Sequence, residues 1–321
     1  MVTTPAPATG SGERALVLGG GGSTGNAWLL GVVAGLLDGG VDVTGADLVV
    51  GTSAGATAAA QLGGAAAAEL YAATLAPPVP PVPSAPRAGG AAPGRGARGP
   101  GGSAASRGGA GGPGPGGVAQ HLARRRALVA AAADPADLRR RTGADALERA
   151  AAAGPDAPGR WRATVAARLP RAAWPERRTL LTAVDAHTGE PVVLDGSSGV
   201  ELVDAVAASC AGGPAYPIGD RWYVDGAHRR GENADLAAGY GRVLVLAPLG
   251  GASLTPAAWR LDLAAQVEDL RAAGSRVEVV VPDDPGLFGE RAMDPALRPV
   301  AARAGHDRGR ALAGRLAGFW G

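Results

Sequence analysis

A strand-turn-helix pattern surrounds Ser53. The apolar residues 48–50 lead into Gly51-Thr52-Ser53-Ala54-Gly55, and an alanine-rich stretch with high helix propensity follows. Glycine two residues to each side of the serine lets neighbouring backbones approach where a Cβ atom would clash. The pattern is typical of a nucleophile elbow, in which a strained turn exposes a serine hydroxyl toward a base. An ordinary glycine-rich turn is the alternative, and these five residues alone do not separate the two.

A second glycine cluster lies upstream. Residues 15–18 predict a strand, residues 19–25 read GGGGSTG, and residues 26–37 predict a helix. Glycine N–H groups at the start of a helix suit a phosphate or a developing oxyanion. Gly20, Gly22 and Gly25 also fit the dinucleotide-binding fingerprint, with Asp42 and Asp47 near the distance expected for a ribose-binding acid. The chain contains no lysine, which excludes a Walker-type phosphate loop.

A third element supplies a carboxylate. Residues 222–224 predict a short strand that ends at Asp225-Gly226-Ala227. Alone, an Asp-Gly pair after alternating residues is more often a hairpin turn. Together, the three elements provide an oxyanion-binding loop, a nucleophile and a base, each at the end of its own strand. Active sites of open α/β sheets collect at the carboxyl ends of strands, so we expect the three to meet there.

The chain resembles the patatin-like phospholipases, which are serine acyl hydrolases with a Ser-Asp dyad. The resemblance rests on residues 19–25, 51–55, 205–211 and 225–227, with 233–236 following. It implies that Ser53 is the nucleophile, that Asp225 is the base, and that the N–H groups of Gly20, Gly21 and Gly22 form the oxyanion hole. Residues that support these motifs are Gly25, Gly51, Gly55, Gly226 and Ala227. Thr24 stands where many family members carry a basic residue, which affects loop ordering and headgroup preference.

The family also implies an architecture and a reaction. The expected fold is α/β, with a mostly parallel central sheet covered by helices on both faces, as in malonyl-transferase-like and lysophospholipase-like domains. The expected reaction cleaves acyl esters of lipids through an acyl-enzyme, with no metal and no cofactor. An acyltransferase that uses the same dyad is an alternative, and a dinucleotide-binding oxidoreductase is a weaker one. A Ser53-Asp225-His306 triad is a further alternative, although His306 falls in a helical pattern.

Further apolar runs alternate with helical stretches, which favours a parallel sheet covered on both faces. Strands are predicted over residues 179–184, 191–194, 242–246 and 276–281, and helices over 121–133, 134–141, 159–169 and 300–316. We expect one domain over residues 13–321, after a disordered tail at 1–12. Residues 76–117 are rich in Pro, Gly, Ala and Arg and predict a disordered insertion, for which a solvated linker is favoured over a lid.

Composition and charge limit the classes of partner that the chain is expected to bind. The formal charge of +2 gives no argument for nucleic acid, and Cys210 is the single cysteine, so no internal disulfide forms. Residues 1–12 lack the pattern of a signal peptide, and the apolar run 27–37 is too short to span a membrane, so we expect a cytoplasmic enzyme acting on a lipid or ester substrate. Arginine runs at 124–126 and 139–141 leave peripheral contact with anionic lipid surfaces open, although solvated helix faces often carry such runs. The scattered histidines, His121, His187, His228 and His306, indicate no metal site.

Overall fold

The computed structural model describes residues 13–76, 115–251 and 253–321. In these ranges one mixed sheet forms, with strand order β5-β6-β3-β2-β1-β7-β8 and β4 paired to β3 off this path. The strands are β1 Arg14–Leu18, β2 Leu48–Gly51, β3 Arg178–Asp185, β4 Pro191–Leu194, β5 Tyr216–Ile218, β6 Arg221–Asp225, β7 Arg242–Leu246 and β8 Arg276–Val280. Five strands that are neighbours in this order run parallel, namely β3, β2, β1, β7 and β8. The strands β4 and β6 each run antiparallel to β3, and β5 runs antiparallel to β6. The predicted α/β fold with a mostly parallel sheet is therefore confirmed.

Helices cover both faces of this sheet. They are α1 Gly22–Asp38, α2 Ala54–Gly64, α3 Ala67–Leu75, α4 Pro115–Ala131, α5 Pro135–Ala153, α6 Ala157–Ala166, α7 Leu202–Ser209, α8 Leu263–Ala272 and α9 Arg298–Trp320. Buried side chains of α1, α2, α7 and α9 share one core with one face of the sheet. The other face packs against α8 and the 3-10 turn Ala234–Ala237. Alternate residues of each central strand point into the two cores, which explains why the strands are apolar throughout.

Helix boundaries differ from the sequence expectations. The first helix begins at Gly22, inside the glycine cluster, instead of at residue 26. The fourth begins at Pro115, so the last residues of the predicted insertion are helical, since proline is well tolerated in a first helical turn. The fifth continues to Ala153, well past residue 141, and the last ends at Trp320. The rest of the predicted insertion, residues 77–114, and the predicted tail at 1–12 lie outside the described residues.

The third strand extends beyond its parallel neighbour. Gly51, the last residue of β2, pairs with Leu181, but β3 continues through residues 182–185. The antiparallel strand β6 pairs with this extension, with Asp225 opposite Ala183. It therefore runs back toward the carboxyl end of β2. Leu181 pairs with both Gly51 and Leu194, and Ala183 pairs with both Val192 and Asp225, so β2 and β6 lie on the same side of β3, opposite β4. Ser53 follows Gly51 by the same interval as Ala183 follows Leu181, so the turn at Ser53 lies next to Asp225, where β2 ends and β6 arrives.

Candidate active site

Ser53 occupies a strained turn between β2 and α2. Its φ is 54° and its ψ is −113°, a conformation that residues other than glycine rarely adopt. Its N–H group donates to Ser209 Oγ at 3.0 Å, which ties the turn to the end of α7. A Cβ on Gly55 would lie 1.8 Å from the carbonyl oxygen of Leu18. The elbow therefore requires glycine at position 55, because β1 passes directly beside it.

Asp225 ends β6, and its carboxyl group is buried, with 7% of the residue exposed. Burial raises the pKa of this carboxyl to about 6, against the opposing effects of the Ser53 hydroxyl, the Ala227 N–H group and the charge of Arg125. Among the described residues, the well-formed hydrogen bond to the carboxylate comes from Ala227 N–H, at 2.8 Å. The Ser53 hydroxyl lies close enough to this carboxyl to lower its pKa.

Asp225 lies at the end of its own strand, as predicted, although this strand is not one of the parallel strands. Its strand, β6, runs antiparallel to β3 and lies toward the edge of the sheet. Asp225 nevertheless reaches the carboxyl edge of the parallel strands because β6 returns along the extension of β3. Directly opposed residues of an antiparallel pair point to the same face, so Asp225 shares the face of Ala183, which α2 and α7 cover.

The glycine cluster lies beside Ser53. A Cβ on Gly20 would be 3.8 Å from the Cβ of Ser53. However, the Gly20 N–H group already donates to the Gly231 carbonyl oxygen at 3.1 Å. Within the described part of the chain, the N–H groups of Gly21 and Gly22 donate no hydrogen bond. The predicted oxyanion hole is thus reduced from Gly20, Gly21 and Gly22 to the last two, because the N–H of Gly20 is committed elsewhere.

The supporting residues of the motifs pack tightly. Gly25 N–H donates to the Gly21 carbonyl oxygen at 3.0 Å, which shapes the loop at the start of α1. A Cβ on Gly51 would lie 2.7 Å from the Cα of Ala56. A Cβ on Gly226 would lie 2.1 Å from Thr182 Oγ1. Together with the Ala227 N–H group on Asp225, these contacts fix the turns that carry Ser53 and Asp225.

Asn233 joins both of these turns, and our sequence analysis did not identify it as a site residue. It is fully buried, with a left-handed φ of 55°. Its Nδ2 donates to Thr52 Oγ1 at 2.9 Å, to Thr182 Oγ1 at 3.2 Å and to the Gly226 carbonyl oxygen at 3.1 Å. Thr52 precedes Ser53, and Gly226 follows Asp225. One side chain therefore fixes the position of the Ser53 turn relative to the Asp225 turn.

Arg298 supplies a positive charge near the glycine cluster, where Thr24 replaces the basic residue of the resemblance. Thr24 N–H donates to the Ala292 carbonyl oxygen at 2.9 Å. From the start of α9, Arg298 donates to the Ser23 carbonyl oxygen at 2.8 Å and to Asn26 Oδ1 at 3.1 Å. The first turn of α1 is thus held by an arginine from the other end of the chain.

The other candidate residues lie elsewhere. His306 stacks on Tyr71 and contacts Asp38 at 2.8 Å, at the far end of α1. The 17 residues of α1 separate that end from the glycine cluster by about 25 Å. His306 therefore joins no triad with Ser53. His228 lies close to Asp225 in sequence but faces Arg125, with 3.0 Å between its Nδ1 and Arg125 Nη1.

The acids considered for a dinucleotide site are also distant from the glycine cluster. Asp47 accepts a hydrogen bond from the Arg14 N–H group at 2.7 Å, and Asp42 caps Thr44. Arg14 and Leu48 are the first residues of β1 and β2, so both acids lie at the amino edge of the sheet. The five residues of β1 place that edge about 17 Å from the glycines. This arrangement does not fit a ribose-binding acid.

No group of three or more His, Cys, Asp or Glu side chains in the described ranges is arranged to hold a metal ion. In the same ranges, no helix combines the length and apolar character needed to cross a membrane. Two surface concavities lie around β8 and α8, lined in part by Arg276 and by Val267, and neither contains a residue of the candidate site.

No protein-family model and no curated protein matches the chain.

Proposed function

We propose that the chain is a serine acyl hydrolase of the patatin-like phospholipase type, which cleaves acyl esters of lipids with Ser53 as nucleophile and Asp225 as base. The observation that carries the proposal is a strained serine beside a buried carboxyl, where β2 and β6 end against the same side of β3. The raised pKa of Asp225, about 6, supports it, because a stronger base takes the serine proton more readily near neutral pH.

The proposed reaction has two halves. Asp225 accepts the hydroxyl proton as Ser53 Oγ attacks the ester carbonyl carbon, and the N–H groups of Gly21 and Gly22 stabilise the negative oxygen. Collapse breaks the bond to the alcohol, which leaves with the proton from Asp225. Water then attacks the acyl-enzyme, with Asp225 again accepting and returning a proton. An acyltransferase would replace that water with another alcohol or a thiol.

Labelling with a fluorophosphonate probe tests the nucleophile. Wild-type protein should be labelled, and Ser53→Ala protein should not be. Equal labelling of the two proteins would place the reactive serine elsewhere. Product analysis with a lipid ester, in the presence and absence of competing alcohols, then separates hydrolysis from acyl transfer.

A further inference from the structure

A group of arginines lies beside Asp225, carried by α4 and α5. This basic cluster consists of Arg124, Arg125 and Arg149. Arg124 and Arg149 share one carboxylate, with Arg124 Nη1 at 2.8 Å and Arg149 Nη2 at 3.0 Å from Asp145. Among the described residues, Asp145 is the one carboxylate in ion-pair contact with the cluster, and it contacts Arg124 and Arg149. The cluster therefore carries three positive charges against one paired negative charge.

Two histidines next to the cluster add no charge at neutral pH. Burial and the charge of Arg125 lower the pKa of His228 well below its ordinary value. Burial, followed by the charges of Arg149, Arg125 and Arg124, lowers the pKa of His121. Both rings are therefore neutral at pH 7. His228 accepts a hydrogen bond from Arg125 and keeps that guanidinium in place.

Arg125 is anchored through one end of its guanidinium group. Its Nη1 donates to His228 Nδ1 at 3.0 Å and to Thr142 Oγ1 at 3.3 Å. Its Nε and Nη2 donate no hydrogen bond to the described residues, and its charge acts on Asp225. Arg149 is similar, since its Nε is buried and has no hydrogen-bond partner in the described part of the chain. The cluster therefore holds fixed donors in excess of the acceptors that the protein offers.

Two adjacent glycines, Gly212 and Gly213, lie beside Asp225 and Arg149, and neither glycine places a side chain there. A Cβ on Gly212 would lie 3.6 Å from Asp225 Oδ2, and a Cβ on Gly213 would lie 4.0 Å from Arg149 Nη1. Because these two glycines are adjacent in the chain, the Asp225 carboxylate and Arg149 lie close to the same short stretch of backbone. Because Asp225 must protonate the leaving alcohol, the alcohol portion of an ester has to lie on this side of the site.

We propose that the basic cluster binds an oxyanion group, either phosphate or carboxylate, on the alcohol portion of the substrate. The inference rests on the proposed function and adds a substrate class to it. Guanidinium groups bind such oxyanions through paired, charge-assisted hydrogen bonds. Asp145 is occupied by two arginines, so the cluster offers no carboxylate to a substrate ammonium group. Esters with a purely anionic alcohol portion are therefore favoured over zwitterionic ones.

Matched esters test the proposal. Three substrates share one acyl chain and differ in the alcohol portion, which is neutral, zwitterionic or a phosphate monoester. Wild-type kcat/KM should be at least about tenfold higher for the phosphate monoester than for either other ester, the gain expected from one charged hydrogen bond. Equal kcat/KM values for the three esters would overturn the proposal.

Variants locate the preference within the cluster. Arg149→Gln should reduce the ratio of anionic to neutral kcat/KM at least about fivefold. Arg149→Lys keeps the positive charge but loses the planar guanidinium with its paired donors. Its ratio of anionic to neutral kcat/KM should therefore lie between those of Arg149→Gln and wild type. The matched control is Arg126→Gln, which removes the same charge from an exposed position on α4 and should leave the ratio unchanged. Equal effects of Arg149→Gln and Arg126→Gln would show a general charge effect and overturn the assignment. Thermal unfolding of each variant verifies folding.

A last experiment separates an anion within the substrate from a free one. Inorganic phosphate should inhibit hydrolysis of the phosphate monoester competitively, and Arg149→Gln should weaken that inhibition. Activation of neutral-ester hydrolysis by phosphate would identify a free effector and overturn the proposal. Fluorophosphonate labelling distinguishes the two levels of failure. An unlabelled wild-type protein contradicts the proposed function, whereas a labelled protein without anion preference contradicts only this inference.

Discussion

Asn233 Nδ2 donates a hydrogen bond to Thr52 Oγ1 at 2.9 Å, across 181 positions of the chain. The same atom reaches the Gly226 carbonyl oxygen at 3.1 Å. The residue before the proposed nucleophile and the residue after the proposed base are therefore joined through one buried amide. Their relative position depends on this side chain as much as on the register of the sheet.

Replacement of Asn233 should affect stability and turnover together. Asn233→Ala removes the buried donors and leaves an alanine at positive φ, so we expect a loss of at least about 2 kcal/mol in the free energy of unfolding. Asn233→Gly removes the same hydrogen bonds without the conformational strain. It should be less destabilised than the alanine variant, and its kcat should be reduced as strongly. Urea unfolding and steady-state kinetics measure both effects. Wild-type kcat in the glycine variant would contradict the positioning role.

Asp225→Asn should stabilise the protein while it abolishes turnover. The pKa of this carboxyl rises from 3.8 to about 6 on folding, so the folded state holds the proton more tightly than the unfolded state. Wild-type stability therefore falls as pH rises from about 4 to about 6, and it stays lower above that range. At pH 8 the variant should gain up to about 3 kcal/mol, and below pH 4 the gain should vanish. Thermal unfolding across pH measures this difference, with Asp220→Asn at an exposed turn as a control that should show little change.

Activity should require the ionised form of Asp225. We expect kcat/KM to rise with pH, by about tenfold per unit, and to level off above pH 6. Glu232 complicates the profile, because burial raises its pKa to about 7 and it lies beside Gly19. Glu232→Gln should keep the transition near pH 6. Loss of that transition in the glutamine variant would assign it to Glu232 instead of Asp225.

A methyl group at position 55 should disrupt the elbow. The added Cβ of Gly55→Ala would lie 1.8 Å from the Leu18 carbonyl oxygen, so either α2 or β1 must move. We expect a loss of about 2 kcal/mol or more in stability and little labelling by a fluorophosphonate probe. Gly159→Ala is the matched control, since a Cβ there meets no atom within 4 Å and alanine favours its helix. Full labelling of Gly55→Ala protein would contradict the tight turn.

Local signals predicted the parts of the site that lie within single segments. The strand before Ser53, the glycines around it and the glycine cluster were evident because strand, turn and helix follow one another in sequence. The path of β6 was not evident, since its direction depends on pairing with β3, more than 30 residues earlier. The start of α4 was missed because proline and glycine mask a helix whose later residues pack against the site.

Contacts between segments that are distant in the chain could not be predicted from the sequence either. The commitment of the Gly20 N–H group follows from the nearby Gly231 carbonyl oxygen, and Arg125 approaches Asp225 from a helix 100 positions earlier. Gly35 illustrates the same point in the core. A Cβ there would lie 2.1 Å from the His306 carbonyl oxygen, so α1 and α9 touch backbone to backbone. Each of these contacts is a product of packing, which a local pattern does not encode.

The length of the β3 extension sets the distance between the Ser53 hydroxyl and the Asp225 carboxylate. Two more residues in β3 before Ala183 would carry the β5-β6 hairpin outward by about 7 Å, while the elbow stayed where it is. A single extra residue would instead turn the carboxylate toward the opposite layer of helices. Insertions in this strand should therefore abolish the proposed activity, because the present length of β3 is what brings the Ser53 hydroxyl and the Asp225 carboxylate together.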